Sequence, residues 1–228
     1  NNIALFTTNA KLTFTKDDKS IYDLETATSA DIIDASSTTN TTGKNRLTFL
    51  SKLVQVTKAE QDKWRRDGVI RDECDESVAG YLNSYWQSVG KTLENMGGCR
   101  AHWSAAFISY VVKNSGASDF PYSTAHNTYI VKSRDNKNSG GSYPWYGYDA
   151  LTKEATVDVG DIVCYTNGDD INTKWGDIYQ WQSNEKPGTE CHCDVVVSID
   201  NQNLARTIGG NVTSKVGDDS LQLNDDKT

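Results

Sequence analysis

One segment, HWSAAFISYVVKNSG at residues 102–116, is apolar on nearly every side and most constrains what this chain can fold into. Its apolar residues recur at helical spacing and Gly116 closes it, which predicts an α-helix. A helix that is apolar all round has no polar face to offer to water, so it must be buried. The remaining segments must therefore cover this helix on all sides.

Helical patterns fill the middle of the chain. Thr57 followed by Glu60 is a capping-box pattern, which predicts that a helix starts at Thr57. Apolar residues at helical spacing and closing glycines predict further helices at residues 75–91, 102–116 and 123–135.

Strand patterns fill the last part of the chain. An aromatic segment at residues 140–149 is predicted to be a loop, with core packing of its rings favoured over a sugar- or peptide-binding groove. β-Branched runs between turn residues predict strands at residues 155–166, 193–200, 204–212 and 220–224. The middle two should form a hairpin through Asn-Gln-Asn. Helices followed by strands are typical of an α+β fold with helices packed on an antiparallel sheet.

Residues 1–56 differ from the rest of the chain. The segment is rich in Thr, Ser, Asn and Asp, a composition that favours turns and short strands. Its runs KLTFT (11–15) and RLTFLSKLVQV (46–56) alternate in a way that suggests strands. We expect residues 1–56 to be a polar N-terminal extension or small subdomain, and residues 57–228 to be the main domain.

Size and charge exclude several classes of partner. The chain has 228 residues, enough for one generous domain or for one domain with a sizeable extension. Its net charge is −8. Nucleic acids and anionic membranes attract basic patches, so an acidic protein is not expected to bind either as its main partner. No apolar run approaches the length of a membrane span.

Five cysteines leave zero, one or two disulfide bridges open, because an odd number cannot pair completely. A zinc site built on Cys164, Cys191, His192 and Cys193 is the alternative. Structural zinc sites commonly use two short-spaced pairs of ligands, and this chain offers one such cluster and a single distant cysteine. We expect neither a metal nor another cofactor.

Three polar residues stand in an order that suits nucleophilic catalysis. Ser104 lies near the start of the buried helix, where free N–H groups stabilise a developing anion. His192 opens a strand and is the expected general base, while Asn211 on the next strand would orient it. Asp194 shares a strand face with His192 and is the alternative orienting residue.

These motifs resemble those of the NlpC-like peptidases and amidases of the papain fold. The helix resembles their nucleophile helix, VDVGDIVCY (157–165) resembles their Pro-Gly-Asp-Leu-Val strand, and HCDVVVSID (192–200) resembles the strand that opens on the catalytic histidine. Together with STAHNTYI (123–130) and IGGNV (208–212), they also resemble an allied bacterial domain family of undefined function. The likeness covers roughly residues 70–215.

The resemblance implies a papain-like fold and a cell-wall-directed hydrolase that cleaves an amide or peptide bond in peptidoglycan. Its site would be Ser104, His192 and Asn211. Such a protein would be exported to the periplasm or beyond, as a lysin or an antibacterial toxin. Peptidoglycan or a peptide is the expected substrate, with an inhibitor or immunity protein as a further partner.

The register places Ser104 where the papain-like families carry cysteine. A serine hydroxyl is a far weaker acid than a thiol, so it needs a well-placed base and an oxyanion hole. The chain is therefore either a serine hydrolase in a papain-like frame or a catalytically inactive module that binds a wall fragment or a partner protein. An engineered Cys→Ser change is disfavoured, because the neighbouring residues agree with the allied family.

Four further residues are candidates for the site. His126 resembles a recurring histidine of the allied family. Cys99, on the segment that enters the helix, is a rival nucleophile, although a structural or half-exposed thiol is favoured. Asp194 is the second orienting candidate, and Trp103 directly precedes the serine. His102 is more simply explained as a solvent-exposed residue.

Overall fold

A computed structural model gives the fold and describes residues 3–8, 41–140, 145–149, 155–166 and 191–225. Within these ranges the chain is α+β, as the order of its segments predicts. The helices are α1 (Thr41–Trp64), α2 (Ala79–Ser88), α3 (Ser104–Asn114) and α4 (His126–Ser139). The strands are β1 (Ile3–Thr8), β2 (Trp145–Asp149), β3 (Ile162–Thr166), β4 (Cys191–Ile199), β5 (Leu204–Val212) and β6 (Lys215–Gln222).

The strands form one antiparallel sheet in the order β2-β1-β3-β4-β5-β6. The predicted hairpin is confirmed, since β4 pairs with β5 in a register that sets Val195 against Ile208. Asp200 holds its turn, because its carboxylate accepts hydrogen bonds from the backbone N–H groups of Gln202 and Leu204. The last strand begins at Lys215, earlier than the sequence predicts.

Helix α3 lies at the centre of the core, and its predicted burial is confirmed. Phe107, Ile108 and Val111 are fully buried. The helix packs against α1 and α2 on one side and against β4 and β5 on the other. Because both sides are covered, an all-apolar helix is stable in this position.

Helix α1 starts earlier than predicted, so the predicted start at Thr57 and the predicted strand at residues 46–56 are both wrong. Thr57 lies inside the helix, where its hydroxyl donates to the carbonyl of Leu53 at 2.8 Å. The apolar residues that suggested alternation belong to a helical face instead. Its buried residues recur every three or four positions: Leu50, Leu53, Thr57, Glu60, Gln61 and Trp64.

The predicted domain boundary falls inside α1. This helix runs without a break across residues 56 and 57. Strand β1 comes from the N-terminal region and lies in the sheet between β2 and β3. The predicted strand at residues 11–15 lies outside the described residues.

The aromatic segment predicted as a loop contains strand β2, so that prediction is wrong. Pairing with β1 directs Trp145 into the core, where it is 2% exposed. Its ring packs edge-on against Phe49 and Phe120, with centroids 5.7 and 4.9 Å away. Core packing of an aromatic residue outweighed the loop composition around it.

Two disulfides cross-link the described residues, Cys74–Cys99 and Cys164–Cys193, and Cys191 is a free thiol. The second bridge joins facing residues of β3 and β4. It removes two of the four sulfur and nitrogen ligands of the zinc alternative, since a disulfide sulfur is not a thiolate. Among the described helices, none combines the length and apolar character needed to cross a bilayer.

Candidate active site

Two helix starts meet at the centre of the molecule. Ser104 is the first residue of α3 and His126 is the first residue of α4. The Ser104 hydroxyl oxygen lies 2.7 Å from Nε2 of His126. The two residues are only 9% and 5% exposed. A serine hydroxyl and an imidazole are therefore in direct hydrogen-bond contact, shielded from bulk water.

A second serine on α3 fixes the position of α4. The Ser109 hydroxyl donates to the carbonyl of Ser123 at 3.1 Å and accepts from the Ser123 backbone N–H at 3.1 Å. The Ser123 hydroxyl in turn accepts from the N–H of Ala125 and contacts the hydroxyl of Thr128. These bonds tie the segment before His126 to Ser109 in the interior of α3, so they help to set the spacing of the two helix starts.

The other ring nitrogen of His126 contacts Tyr129, one helical turn further along α4. Nδ1 lies within hydrogen-bond distance of the tyrosine oxygen. Burial lowers the pKa of His126 well below its usual value, and the charge of the nearby His192 adds to this effect. Burial raises the pKa of Tyr129 well above its usual value, with contributions from Cys191 and Asp194. At neutral pH the imidazole is therefore neutral and the phenol keeps its proton.

His192 and Asp194 form a second buried pair on β4. As residues i and i+2 of a strand they point to the same face, and they are 6% and 1% exposed. Nε2 of His192 lies 3.0 Å from Oδ1 of Asp194. The two atoms are close enough for an ion pair if the imidazole is protonated, but they do not form a hydrogen bond, and within the described residues neither has another hydrogen-bond partner. The ring centroids of His192 and His126 are 5.8 Å apart.

Other side chains hold the second oxygen of Asp194. The hydroxyl of Thr207 donates to Oδ2 at 3.1 Å, and the phenol of Tyr165 donates to it at 3.2 Å. Burial and the charge of Asp194 raise the pKa of Tyr165, which keeps this phenol a donor. These two donors fix the position of the Asp194 carboxyl group beside His192.

The Gly-Gly pair of β5 makes room for the site. A methyl group on Gly209 would lie 1.8 Å from Oδ1 of Asp194 and 2.9 Å from Nε2 of His192. A methyl group on Gly210 would lie 2.4 Å from Cβ of Phe107. The first glycine therefore admits the His192–Asp194 pair, and the second lets β5 approach α3 closely.

The structure places the predicted site residues in two pairs. Ser104 contacts His126, one of the additional candidates, whereas His192 contacts Asp194. The sequence analysis paired Ser104 with His192, whereas in the structure the Ser104 hydroxyl is hydrogen-bonded to His126. Asn211 lies half-buried at the end of β5 with a φ of 62°, and within the described residues it makes no hydrogen bond to His192.

Cys99 and Trp103 link the segment that leads into α3 to residues 73 and 74. Cys99 is bonded to Cys74, which agrees with the structural role favoured for it and leaves no free thiol to act as the rival nucleophile. Trp103 is fully buried and donates from Nε1 to Oε2 of Glu73 at 2.9 Å. The disulfide and this hydrogen bond join the same two segments. His102 is exposed, as expected.

Tyr129 escaped the sequence analysis, and Cys191 entered it only as a ligand of the zinc alternative. Tyr129 follows His126 by three positions, a spacing that sets both side chains on one helix face and is visible in the sequence. Cys191 is half-buried at the start of β4, and burial raises the pKa of its thiol to about 11. A thiol that stays protonated at neutral pH is a poor nucleophile.

Comparison with known proteins gives one family. Residues 63–225 match the family described as uncharacterized protein conserved in bacteria, DUF2272. No curated protein and no solved structure matches the chain. The matched range includes Ser104, both buried histidines and the Gly-Gly pair of β5. On this match, the chain belongs to the bacterial family DUF2272.

Proposed function

We propose that this protein is a hydrolase in which Ser104 is the nucleophile and His126 is the general base, and that it cleaves an amide or peptide bond in peptidoglycan. The observation that carries the proposal is the 2.7 Å contact between the Ser104 hydroxyl and Nε2 of His126. This distance lies within the range from which a base takes a proton.

The surroundings of His126 suit a base. A neutral imidazole with its proton on Nδ1 presents a lone pair on Nε2 to the serine hydroxyl. The Tyr129 oxygen then accepts a hydrogen bond from Nδ1–H, which keeps the ring in this orientation. A base oriented by a third group is the general pattern of an activated serine. In this arrangement Tyr129 takes the orienting role that the sequence analysis gave to Asn211.

The start of α3 suits the anion formed on attack. The first backbone N–H groups of an α-helix have no partner within the helix and carry partial positive charge. A tetrahedral intermediate on Oγ of Ser104 would form beside these groups. Such donors act most strongly where water is excluded, as it is around these buried side chains.

The substrate and location are inferred from the resemblance to NlpC-like enzymes together with the disulfides. Disulfides persist in oxidising compartments, and Cys74–Cys99 and Cys164–Cys193 both favour export. An exported papain-like hydrolase meets peptidoglycan in the cell wall. A lysin or an antibacterial toxin fits this setting, and an immunity protein would be the partner of the toxin.

The test is digestion of purified peptidoglycan, measured as release of new amino groups. We expect wild-type protein to release them, and Ser104→Ala and His126→Gln to lose at least about a hundredfold in rate. Ser115→Ala is the matched serine control, since it removes a buried hydroxyl at the other end of α3. His102→Gln is the matched histidine control. Digestion that survives Ser104→Ala contradicts the proposal.

A catalytically inactive binding module is the second candidate. Two observations favour an inactive module. Ser104 stands at a position where the papain-like families carry cysteine, and it is only 9% exposed. The variant Ser104→Cys distinguishes the two. If wild-type protein is inactive and Ser104→Cys digests peptidoglycan, the chain is an inactive module with an otherwise intact site.

A further inference from the structure

The Cys74–Cys99 disulfide joins the segment that leads into the candidate site to a neighbouring exposed segment. We propose that this disulfide is a redox switch: its reduction by a dithiol frees the segment before α3 and lowers the reactivity of Ser104, and its reoxidation restores that reactivity. The switch rests on the proposed function, since it acts on the nucleophile assigned there.

The two described disulfides differ in their exposure to solvent. Cys74 is exposed and Cys99 is half-buried, whereas Cys164 and Cys193 are both 0% exposed. A reducing thiolate must contact a sulfur directly, so it reaches the first bridge from solvent and does not reach the second. Exposed disulfides are commonly the labile or regulatory ones.

The two bridges also differ in what holds their residues together after reduction. Cys164 and Cys193 face each other across β3 and β4, so the pairing of these strands keeps them close without the S–S bond. Cys74 and Cys99 lie on segments without helix or strand, at residues 69–75 and 89–103. Opening the Cys74–Cys99 bridge therefore gives both segments new freedom.

Residues 73 and 74 fasten the segment before α3 to the sheet. The backbone N–H of Glu73 donates to the carbonyl of Ser214, in the turn between β5 and β6, at 2.8 Å. Oε2 of Glu73 accepts from Nε1 of Trp103 at 2.9 Å, and Cys74 beside it is bonded to Cys99. Reduction removes the covalent one of these two links.

Ser104 depends on this segment for its position. The carbonyl of Trp103, the residue before it, accepts from the backbone N–H of Phe107 at 3.0 Å. No side chain caps this helix start within the described residues, so the preceding segment helps to set where the first turn lies. The Ser104–His126 contact spans 2.7 Å, and a misplacement of about 1 Å at such a contact can cost about a hundredfold in rate.

The reduced form keeps its core. The ring of Trp103 is stacked on that of Trp64, with centroids 5.1 Å apart, and both residues are fully buried. This packing holds α3 in place when the bridge opens. Reduction therefore changes the setting of the first turn of α3 without unfolding the chain.

The reaction is a thiol–disulfide exchange. A thiolate of dithiothreitol attacks Sγ of Cys74, forms a mixed disulfide and releases the Cys99 thiolate, which takes a proton. The second thiol of the reagent attacks the first reagent sulfur, releases Cys74 as a thiol and leaves as a cyclic disulfide. The reagent is oxidised, and its electrons and protons pass to the two cysteines.

The redox state of a compartment decides whether such a bridge is closed. Reducing compartments keep thiols free, and oxidising compartments allow disulfides to persist. A hydrolase made in a reducing compartment and then exported therefore reaches its full Ser104 reactivity only after export. This order keeps the enzyme weakly active inside the cell that makes it.

The experiment measures labelling of Ser104 in both redox states of the wild-type protein. A fluorophosphonate probe phosphonylates an activated serine and expels fluoride. We expect dithiothreitol to lower the labelling rate about tenfold or more, and oxidised glutathione to restore it. Iodoacetamide treatment and mass spectrometry identify the open bridge, which should be Cys74–Cys99 and not Cys164–Cys193.

Two variants separate this bridge from the free thiol. Cys74→Ser/Cys99→Ser should label at the rate of the reduced protein and no longer respond to dithiothreitol. Cys191→Ser removes the free thiol and should respond as the wild type does. Circular dichroism of the reduced wild-type protein is the check on folding that needs no variant, and its helical signal should equal that of the oxidised protein.

Equal labelling rates of oxidised and reduced wild-type protein, with the bridge shown to be open, overturn the switch and leave the proposed function standing. A bridge that dithiothreitol does not open in the folded protein overturns it as well. So does loss of the helical signal on reduction, because the slower labelling then reports unfolding. Oxidised wild-type protein that does not label at Ser104 contradicts the proposed function itself, and the switch with it.

Discussion

Ser104 and His126 each begin a helix, and Oγ of the first lies 2.7 Å from Nε2 of the second. The positive ends of two helix dipoles therefore converge on one hydrogen bond. This arrangement favours negative charge on the serine oxygen and disfavours a resting positive charge on the imidazole. It agrees with the burial that lowers the pKa of His126.

The pH dependence of hydrolysis should reflect this lowered pKa. The base must be neutral to accept the serine proton, and His126 stays neutral below the usual histidine pKa of about 6.5. We expect the acidic limb of kcat/KM to lie below about pH 6.5. A profile measured from pH 4.5 to 8.5 checks this. An acidic limb at or above pH 7 would contradict the assignment of His126 as the base.

The same group should make the fold less stable in acid. The unfolded chain binds a proton at His126 near pH 6.5, whereas the native chain binds it only at lower pH. Between these two values the unfolded state holds more protons, so the free energy of unfolding decreases as pH falls. The slope from this group is at most about 1.4 kcal/mol per pH unit. Urea denaturation at pH 7.5 and 5.5 measures it. The wild-type loss should exceed that of His126→Gln, and identical losses would contradict the prediction.

Replacing Gly209 should destabilise the fold and displace the His192–Asp194 pair together. Gly209→Ala would set a methyl group 1.8 Å from Asp194, so the carboxylate or the strand must move. We expect a loss of about 1–3 kcal/mol in the free energy of unfolding, as for other overpacked cores. Gly80→Ala on α2 is the control. No atom lies within 4 Å of its new methyl group, and alanine should stabilise the helix by about 0.5–1 kcal/mol. Equal effects of the two changes would contradict this reading of Gly209.

Removing the Cys74–Cys99 disulfide should loosen the start of α3. The bridge closes a loop between residues 25 positions apart, and loss of such a cross-link costs about 3 kcal/mol. We expect the Cys74→Ser/Cys99→Ser double variant to lose about this much free energy of unfolding. We also expect Ser104 of this variant to react more slowly with a fluorophosphonate probe, a reagent that labels activated serines. Cys191→Ser is the control for stability, because this cysteine is free. Unchanged stability and labelling in the double variant would show that Glu73 and Trp103 alone hold the segment.

The helices and strands with strong patterns were predictable from the sequence. The α3 segment, the α4 segment and the β4–β5 hairpin all follow from residue periodicity and turn residues. Helix α1 was not predictable in full, because its N-terminal half has apolar residues that also fit a strand. Its full length as a helix depends on packing against α3, and a local sequence pattern carries no information on that packing.

The candidate site was only partly predictable for a similar reason. Sequence order suggested that Ser104 pairs with the histidine that opens β4, while His126 was one candidate among several. The choice between two histidines is made by distance, and distance depends on how α4 packs against α3. The bonds between Ser109 and Ser123 that set this packing carry no signature in the sequence.

The sequence by itself determined the α+β class, the burial of the helix that carries Ser104 and the limit of two disulfides. Periodicity, apolar content and an odd cysteine count are local or additive properties, so they can be read without coordinates. Only the tertiary structure decided that Ser104 contacts His126, that His192 contacts Asp194 and that Cys99 is bonded. Each of these contacts joins side chains whose separation is set by the packing of whole elements, and hydrogen bonds and disulfides form only within a few tenths of an ångström of their preferred distances.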